Sequence, residues 1–201
     1  MLLTPENAPV TASVARRAFQ ALKGHNLIAH GGEKAVDRAY WSEVTNPSHP
    51  PGHGRTGNVK YLTPRQRRLH LTTFKDDHLV LSRASIFEIG INMTSRGEII
   101  YVVDPLRNFY VGFKTIGTFH HSSFLAGAQV LAAGSMIIAP GMIIVEVNNH
   151  SGHYKPGLAQ LKLAATVMKL KGANLNAISF KYSPPTGAPT TWESGVDMIR
   201  S

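Results

Sequence analysis

Cysteine is absent from this 201-residue sequence. Its absence excludes disulfide bonds, thiolate zinc sites and thiol catalysis. A chain without cysteine is typical of a reducing compartment, so we expect a cytoplasmic protein. A protein that a dedicated machine secretes into a target cell without a signal peptide would have the same composition, and this second location stays open.

Long apolar runs are also missing. No stretch reaches the roughly 18 to 20 apolar residues that a membrane-spanning helix needs, so we predict no membrane span. The first nine residues do not combine a charged start with an apolar block, and we expect no signal peptide. Apolar residues make up 43% of the chain and charged residues 16%, which predicts a globular protein with a substantial core.

Acidic residues are few. Twelve Asp and Glu face 21 Lys and Arg, and the formal net charge is +9. The surplus is concentrated in Arg16-Arg17, in Arg65–Arg68 and in the region from Lys155 to Lys171. This balance predicts an acidic partner, either an acidic protein or a phosphorylated ligand. We do not expect nucleic-acid binding, because no recognised motif or aromatic-interleaved basic stripe accompanies the charge.

Periodicity and turn residues predict the order of the elements. Predicted helices cover residues 13–23, 33–44, 64–69 and 156–171. Predicted strands cover residues 69–74, 79–81, 99–103, 109–113, 130–139, 142–147 and 177–182. Because most strands follow one another through short turns, we predict an α+β fold with a largely antiparallel sheet built from hairpins. N-terminal helices and one C-terminal helix would pack on that sheet.

Composition divides the chain into three parts. Residues 1–30 form a basic helical segment, residues 31–182 a single α+β domain, and residues 183–201 a tail rich in Pro and Thr. Within the domain, Val130–Ala139 and Met142–Val147 are predicted to form one hairpin around Pro140-Gly141. Gly141 would supply the positive φ that such a turn favours.

Two polar segments lie at the outer ends of this hairpin, and they form the candidate site. They are Phe119–Gly127, which contains His-His-Ser-Ser, and Ser151–Pro156, which contains Gly-His-Tyr-Lys. The hairpin would bring them together. The candidate catalytic residues are His121, Ser122, Ser123, His153 and Tyr154. The candidate substrate-binding residues are His120, Ser151, Lys155 and Arg107.

The chemistry of these side chains permits several roles. Histidine titrates near neutral pH and suits proton transfer, while Ser and Tyr supply hydroxyl groups. A Ser–His nucleophile pair would need an orienting carboxylate, for which Glu146 and Asp104 are candidates. An NAD-dependent transferase would use His, Tyr and Ser to hold the ribose and the nicotinamide. Alternatively, His121 and Tyr154 are buried residues that fix the hairpin ends through hydrogen bonds. We predict no metal site.

Several ordered blocks resemble the conserved region of plant IQ-motif-containing calmodulin-binding proteins. They cover most of the chain from Ala35 to Pro156. The blocks are Ala39-Tyr40-Trp41-Ser42-Glu43-Val44, Asn46-Pro47-Ser48-His49, Gly52-His53, Lys60-Tyr61-Leu62, Ile99–Val103, Phe109-Tyr110-Val111-Gly112, Phe119–Gly127, Ala132-Ala133-Gly134 and Ser151-Gly152-His153-Tyr154. Five such blocks in the same order make chance an inadequate explanation.

The resemblance implies two different functions. Calmodulin is the partner that the plant family implies, but an IQ motif has a basic residue four positions after its Gln. Here Lys23 follows Gln20 by three, so the motif is degenerate. The fungal and bacterial relatives that the resemblance also implies include effector- and toxin-like proteins.

Two hypotheses follow. The first is an effector- or toxin-type enzyme with a His/Ser/Tyr pocket, for which the first reaction to test is ADP-ribosyl transfer from NAD to a host or target macromolecule by an ADP-ribosyltransferase-like transferase. The second is a non-catalytic protein-interaction module related to calmodulin-binding proteins. NAD is the first cofactor to test under the first hypothesis, and calmodulin is the first partner to test under the second.

Overall fold

The computed structural model describes residues 34–37 and 59–201. The strands are β1 (Leu71–Lys75), β2 (His78–Val80), β3 (Gly97–Val103), β4 (Phe109–Gly112), β5 (Ala132–Ala139), β6 (Ile143–Asn148), β7 (Ser179–Tyr182) and β8 (Thr190–Trp192). The helices are α1 (Pro64–Arg68), α2 (Arg83–Ile89), α3 (His121–Leu125), α4 (Leu158–Leu170) and α5 (Gly195–Arg200). The helix predicted over residues 13–23 lies outside the described residues.

All eight strands belong to one sheet with the order β2-β1-β4-β3-β5-β6-β7-β8. A further pairing of His78 with Ile143 joins β2 to β6 and closes the first six strands into a barrel. The pairs are antiparallel except for β6 with β7, which are parallel because α4 carries the chain back between them. The predicted class with a largely antiparallel sheet is therefore confirmed in outline, although the sheet predominates and its closure was not predicted.

The predicted hairpin is confirmed. β5 pairs antiparallel with β6, and the register shifts between Ile137 and Ile138. Gly141 turns the chain with a φ of 81°. The start of β5 and the end of β6 therefore lie at the same end of the hairpin, where the two polar segments adjoin it.

Both faces of β3 are buried, since successive side chains of a strand point to opposite faces. Ile99, Tyr101 and Val103 pack into the larger of two apolar clusters, which also receives the buried side of α4. Ile100 and Val102 pack into a second cluster on the other face. That second cluster contains Phe124 of α3 and Tyr154, so both polar segments lie over the same face of the sheet.

The C-terminal segment differs from the prediction. Residues 183–201, predicted to be a Pro/Thr-rich tail, contain β8 and α5. Trp192 pairs with Phe180 of β7, and Met198 is fully buried in the larger cluster. A Cβ on Gly195 would collide with the Phe180 ring, so α5 approaches the sheet closely. This segment is part of the folded domain.

The first described residues also differ from the prediction. Residues 33–44 were predicted to be helical, but Lys34 forms a bridge with Val130 and the Asp37 N–H donates to the His153 carbonyl. Residues 34–37 are therefore not helical, because their backbone groups pair with distant chain segments. The rest of that predicted helix lies outside the described residues. In the part of the chain that the structure describes, no helix is long and apolar enough to cross a membrane.

Candidate functional site

Helix α3 positions the first polar segment. His120 is extended and precedes the helix, and its backbone N–H donates to Ser123 Oγ at 2.9 Å. The helix ends after one and a half turns because Ala126 and Gly127 adopt positive φ angles of 51° and 77°. All five helical residues are buried. Their side chains therefore face the protein interior and not an open surface.

His121 joins α3 to the centre of the sheet. Its Nε2 donates to the Gly134 carbonyl of β5 at 2.9 Å, and the side chain is buried. Gly134 has to be glycine at this point, because a Cβ would collide with the Asn148 carbonyl and crowd the Tyr101 hydroxyl. The Tyr101 hydroxyl donates to that same Asn148 carbonyl at 3.0 Å. The imidazole thus binds the backbone at a position where β3, β5 and β6 approach one another closely.

Burial makes His121 a weak base. Desolvation, together with the smaller electrostatic effects of His153, Lys114 and His120, lowers the pKa of His121 to about 3. The hydrogen bond to Gly134 opposes this shift without overcoming it. A general base is most effective when its pKa lies near the working pH, so this imidazole is poorly matched to proton transfer at neutral pH.

The second polar segment is a turn built by its own side chains. The Ser151 Oγ accepts from the Tyr154 N–H at 3.4 Å, and the Ser151 carbonyl accepts from the Lys155 N–H. The Tyr154 hydroxyl reaches across and donates to the Ala128 carbonyl at 2.8 Å. Tyr154 is buried, so its phenol fixes the turn that leads from α3 into β5.

The two polar segments meet at their histidines, as predicted. The His120 and His153 rings lie 5.1 Å apart, tilted by 32°, and His153 is close enough to contribute to the lowered pKa of His121. Ser122 and Ser123 are fully buried, and the carbonyl of each accepts a backbone N–H, from Gly127 and Leu62 respectively. The structure therefore brings together the five residues predicted to be catalytic, within the protein interior. Their catalytic role stays a prediction.

The predicted substrate-binding residues are divided. His120 lies in the cluster, and Ser151 forms the turn just described. Lys155 is exposed, with its Nζ 3.2 Å from Asp37 Oδ2. Arg107 lies in the exposed turn between β3 and β4 at a φ of 64°, where its N–H donates to the Asp104 carbonyl. No hydrogen bond within residues 59–201 joins Arg107 to the histidines.

A buried charged group was missed by the sequence analysis. The basic run Arg65–Arg68 was counted in the charge surplus that predicts an acidic partner, but Arg67 is buried. Desolvation lowers the pKa of Arg67, and the negative charge of nearby Asp104 opposes that shift. Asp104 is itself fully buried and accepts from the Tyr110 hydroxyl at 3.0 Å. Five helical residues are too few for periodicity to show which arginine faces inward.

A metal ion or a cofactor would be held by carboxylate, imidazole or hydroxyl groups. Within the described residues, no group of three or more His, Asp or Glu side chains is arranged to hold a metal ion. The hydroxyl groups of Tyr154 and Tyr101 donate to backbone carbonyls. The side-chain donors of His121, Tyr154 and Tyr101 therefore bind backbone carbonyls of the protein itself.

The region that contains both polar segments is similar to a known protein family. Residues 66–161 match the IQ motif-containing protein middle domain. This stretch begins in α1 and ends in α4, so it includes the six barrel strands and both polar segments. The predicted resemblance to plant IQ-motif-containing proteins is confirmed over it.

Individual relatives agree with this assignment. IQ domain-containing protein IQM1 of Arabidopsis thaliana is 32% identical over 144 residues, which are 66% of this chain and 29% of that protein. IQM4 of the same plant is 31% identical over 144 residues, covering 66% of this chain and 26% of IQM4. The chain therefore spans less than a third of the length of these relatives. No solved structure matches the chain.

These relatives overturn one hypothesis. The interpretation as an effector, a toxin or an NAD-dependent transferase is wrong, because the matching proteins are plant proteins described by an IQ domain. That interpretation rested on the implied bacterial relatives and on a predicted pocket of His, Ser and Tyr side chains. The side chains concerned are buried, and the interaction-module hypothesis agrees better with the relatives.

Proposed function

We propose that the described domain is a non-catalytic protein-interaction module whose partner is an acidic protein with an apolar pocket. Its relatives are IQ domain-containing proteins. The hydrogen bonds of His121 and Tyr154 support the non-catalytic part, since both side chains bind backbone carbonyls inside the fold. The observation that carries the proposal is an ordered, basic loop with one apolar side chain in water.

This loop, residues 114–119, follows β4, and we name it the Ile116 loop. The Ile116 side chain is 89% exposed. Lys114 is exposed beside it, and so is Lys60, whose backbone N–H donates to the Thr118 carbonyl. The loop is ordered at its base, because the Phe119 ring stacks on His70 at 5.5 Å. Two cations therefore flank one aliphatic side chain on a fixed scaffold.

A second large apolar side chain is exposed on α2. Phe87 of α2 is 90% exposed, and its neighbour Glu88 acts on the pKa of His70 together with Lys60. Both charges act on the pKa of the imidazole on which Phe119 stacks.

The combination defines the chemistry of the partner. Lysines on a chain with a net charge of +9 attract carboxylates, and steer an acidic protein towards the surface. Charge alone equally predicts a phosphorylated ligand, but an exposed isoleucine gains nothing from phosphate. An apolar pocket rimmed by carboxylates satisfies both features, as in calcium-loaded calmodulin with its Met-rich grooves.

Calorimetric titration with calmodulin tests the proposal. We expect calcium-loaded calmodulin to bind more tightly than poly-glutamate, with an affinity weaker than about 1 μM. Ile116→Ser should weaken calmodulin binding and leave poly-glutamate binding unchanged, whereas Lys114→Glu should weaken both. Leu170→Ser and Lys169→Glu are matched controls, since Leu170 is a 67% exposed leucine beside a lysine on α4.

Three results would contradict the proposal. Equal binding of calmodulin and poly-glutamate would leave charge as the whole cause. Loss of calmodulin binding in the α4 variants, with the loop variants unaffected, would move the surface to α4. Absence of binding to either probe at low salt would end the acidic-partner proposal.

A further inference from the structure

The Ile116 loop closes on itself through backbone hydrogen bonds. The Thr115 N–H donates to the Phe119 carbonyl at 3.0 Å, and the Phe119 N–H returns to the Thr115 carbonyl at 2.8 Å. The Thr118 N–H donates to that same Thr115 carbonyl at 3.0 Å. Gly117 stands at the tip with a φ of 80°. These bonds use the carbonyls of Thr115 and Phe119 and leave the Gly117 N–H to be satisfied elsewhere.

The partner of the Gly117 N–H is a histidine ring. The N–H donates to His120 Nε2 at 3.2 Å. An imidazole nitrogen accepts a hydrogen bond only when it carries no proton. Protonated imidazole has two N–H donors and no acceptor, so the same geometry would then place two donors against each other. The contact therefore requires neutral His120 with its proton on Nδ1.

Other basic side chains lie near His120. The His153 ring, in the turn after β6, lies 5.1 Å from it at a tilt of 32°, and His121 follows it in α3. Lys114 of the loop itself acts on His121, and Lys60 is hydrogen-bonded to the loop through its backbone. Lys114, His153 and His120 each lower the pKa of His121. A proton on His120 would therefore add positive charge to a region that already contains Lys114.

We propose that His120 is a pH-sensitive latch for the Ile116 loop. Neutral His120 holds the Gly117 N–H and keeps the tip of the loop closed. Protonated His120 loses this acceptor, and the tip is released while Phe119 stays anchored on His70. Histidine is the side chain that changes charge between about pH 5 and 8, so the latch would open on mild acidification. Opening and closing of the latch do not depend on the proposed partner. Only an effect of the latch on partner binding rests on the proposed function.

Nuclear magnetic resonance of the full ¹⁵N-labelled chain tests the latch. The amide resonance of Gly117 and the ring resonances of His120 would be followed from pH 8 to pH 5. We expect the Gly117 amide proton to move upfield, as a lost hydrogen bond requires, with the same midpoint as the His120 ring. Gly141 is the matched control. Its φ is 81°, and its N–H donates to the Met93 carbonyl, which does not titrate.

A variant completes the test. In His120→Ala, the Gly117 amide should occupy its acid position at every pH, and the Gly141 amide should be unchanged. Titration of His120 without movement of the Gly117 amide would overturn the latch. A Gly117 transition that survives in His120→Ala would overturn it as well, because another group would then be responsible. If the variant fails to fold, the wild-type comparison of the two midpoints still decides.

Discussion

At the residue scale, His121 explains why polar side chains can be concentrated without forming an exposed site. One imidazole nitrogen satisfies the carbonyl of Gly134, a position where the close approach of Asn148 excludes any side chain. Tyr154 does the same for the Ala128 carbonyl. A buried carbonyl left without a donor costs free energy, so these side chains contribute to stability through the hydrogen bonds they complete.

Substitution of His121→Ala should lower the free energy of unfolding by about 1 to 3 kcal/mol, because the Gly134 carbonyl loses its donor. Urea unfolding followed by circular dichroism measures this. His78→Ala is the control, since His78 is exposed and its pair with Asp77 is of the surface kind that contributes little. Equal stability of the two variants would contradict a structural role for His121.

Acid should destabilise the fold partly through His121. Burial lowers the pKa of His121 to about 3, whereas the unfolded chain titrates near 6.5. The unfolded state therefore binds more protons as the pH falls, and the contribution of neutral His121 is complete above about pH 6.5 and lost towards pH 3. We expect wild type to lose about 1.4 kcal/mol per pH unit more than His121→Gln between about pH 6 and pH 4.

Urea unfolding of both proteins at several pH values measures that difference in slope. His70, whose pKa burial also lowers, is present in both proteins, so its contribution cancels. Parallel pH profiles would show that His121 is already charged or exposed.

Gly134→Ala should be far more damaging than Gly97→Ala. The new methyl group at position 134 would overlap the Asn148 carbonyl, while at position 97 it would meet only the edge of Phe113 at 3.7 Å. Both residues lie in paired strands of the same sheet. We expect a loss of about 3 kcal/mol or more for Gly134→Ala and little change for Gly97→Ala. Thermal unfolding compares them, and similar melting temperatures would contradict the close approach.

At the element scale, the strands were predictable and the short helices were not. Alternation and the Pro140-Gly141 turn were sufficient to predict the β5–β6 hairpin. Helices α2 and α3 have seven and five residues, too short for a 3.6-residue period to appear above the strand pattern. β8 was missed because a Pro- and Thr-rich composition resembles a loop. The closure of the barrel depends on one pair of distant residues, which no local pattern reveals.

The same scale limits what could be predicted of the site. Spacing around the hairpin was sufficient to place His121 near His153, because β5 and β6 fix the relation between their flanking segments. Burial was not predictable, since it depends on which face of the sheet α3 covers. That face is decided by Phe124 and by the contacts of Tyr154 in the second apolar cluster.

The C-terminal elements should be required for stability. Met198 of α5 is fully buried against the larger cluster, so Met198→Ala should lower the free energy of unfolding by about 2 to 5 kcal/mol. Arg200→Ala, on the exposed side of the same helix, is the control. A chain that ends at Tyr182 should melt at a markedly lower temperature. Unchanged unfolding of that truncated chain would show that residues 183–201 are dispensable.

At the scale of the whole molecule, the net charge of +9 is the feature behind the proposed acidic partner. The described domain resembles the middle part of longer IQ domain-containing proteins and covers less than a third of them. The matched residues 66–161 of this chain include its barrel strands and its buried polar cluster. Exposed lysines such as Lys60 and Lys114 lie on the surface of this domain, as the net charge of +9 predicted.

A synthetic peptide covering residues 13–24 should bind calmodulin weakly or not at all, because Lys23 follows Gln20 by three positions where an IQ motif requires four. In the full chain, Gln20→Ala should leave calmodulin binding unchanged, while Ile116→Ser weakens it. Calorimetric titration with and without calcium measures both. Tight calcium-independent binding of the peptide would contradict this prediction and move the interaction to the N-terminal segment.

The single pairing that closes the barrel also governs how the chain can be made. β2 meets its second neighbour only at Ile143, which is synthesised sixty-five positions after His78. At about 5 to 20 residues per second, a ribosome leaves that strand edge uncovered for roughly 3 to 13 seconds. An uncovered edge is a template for wrong pairing, so the nascent chain is exposed to aggregation and to chaperones throughout this interval. Slower translation between the two positions would lengthen the interval and reduce the yield of folded protein.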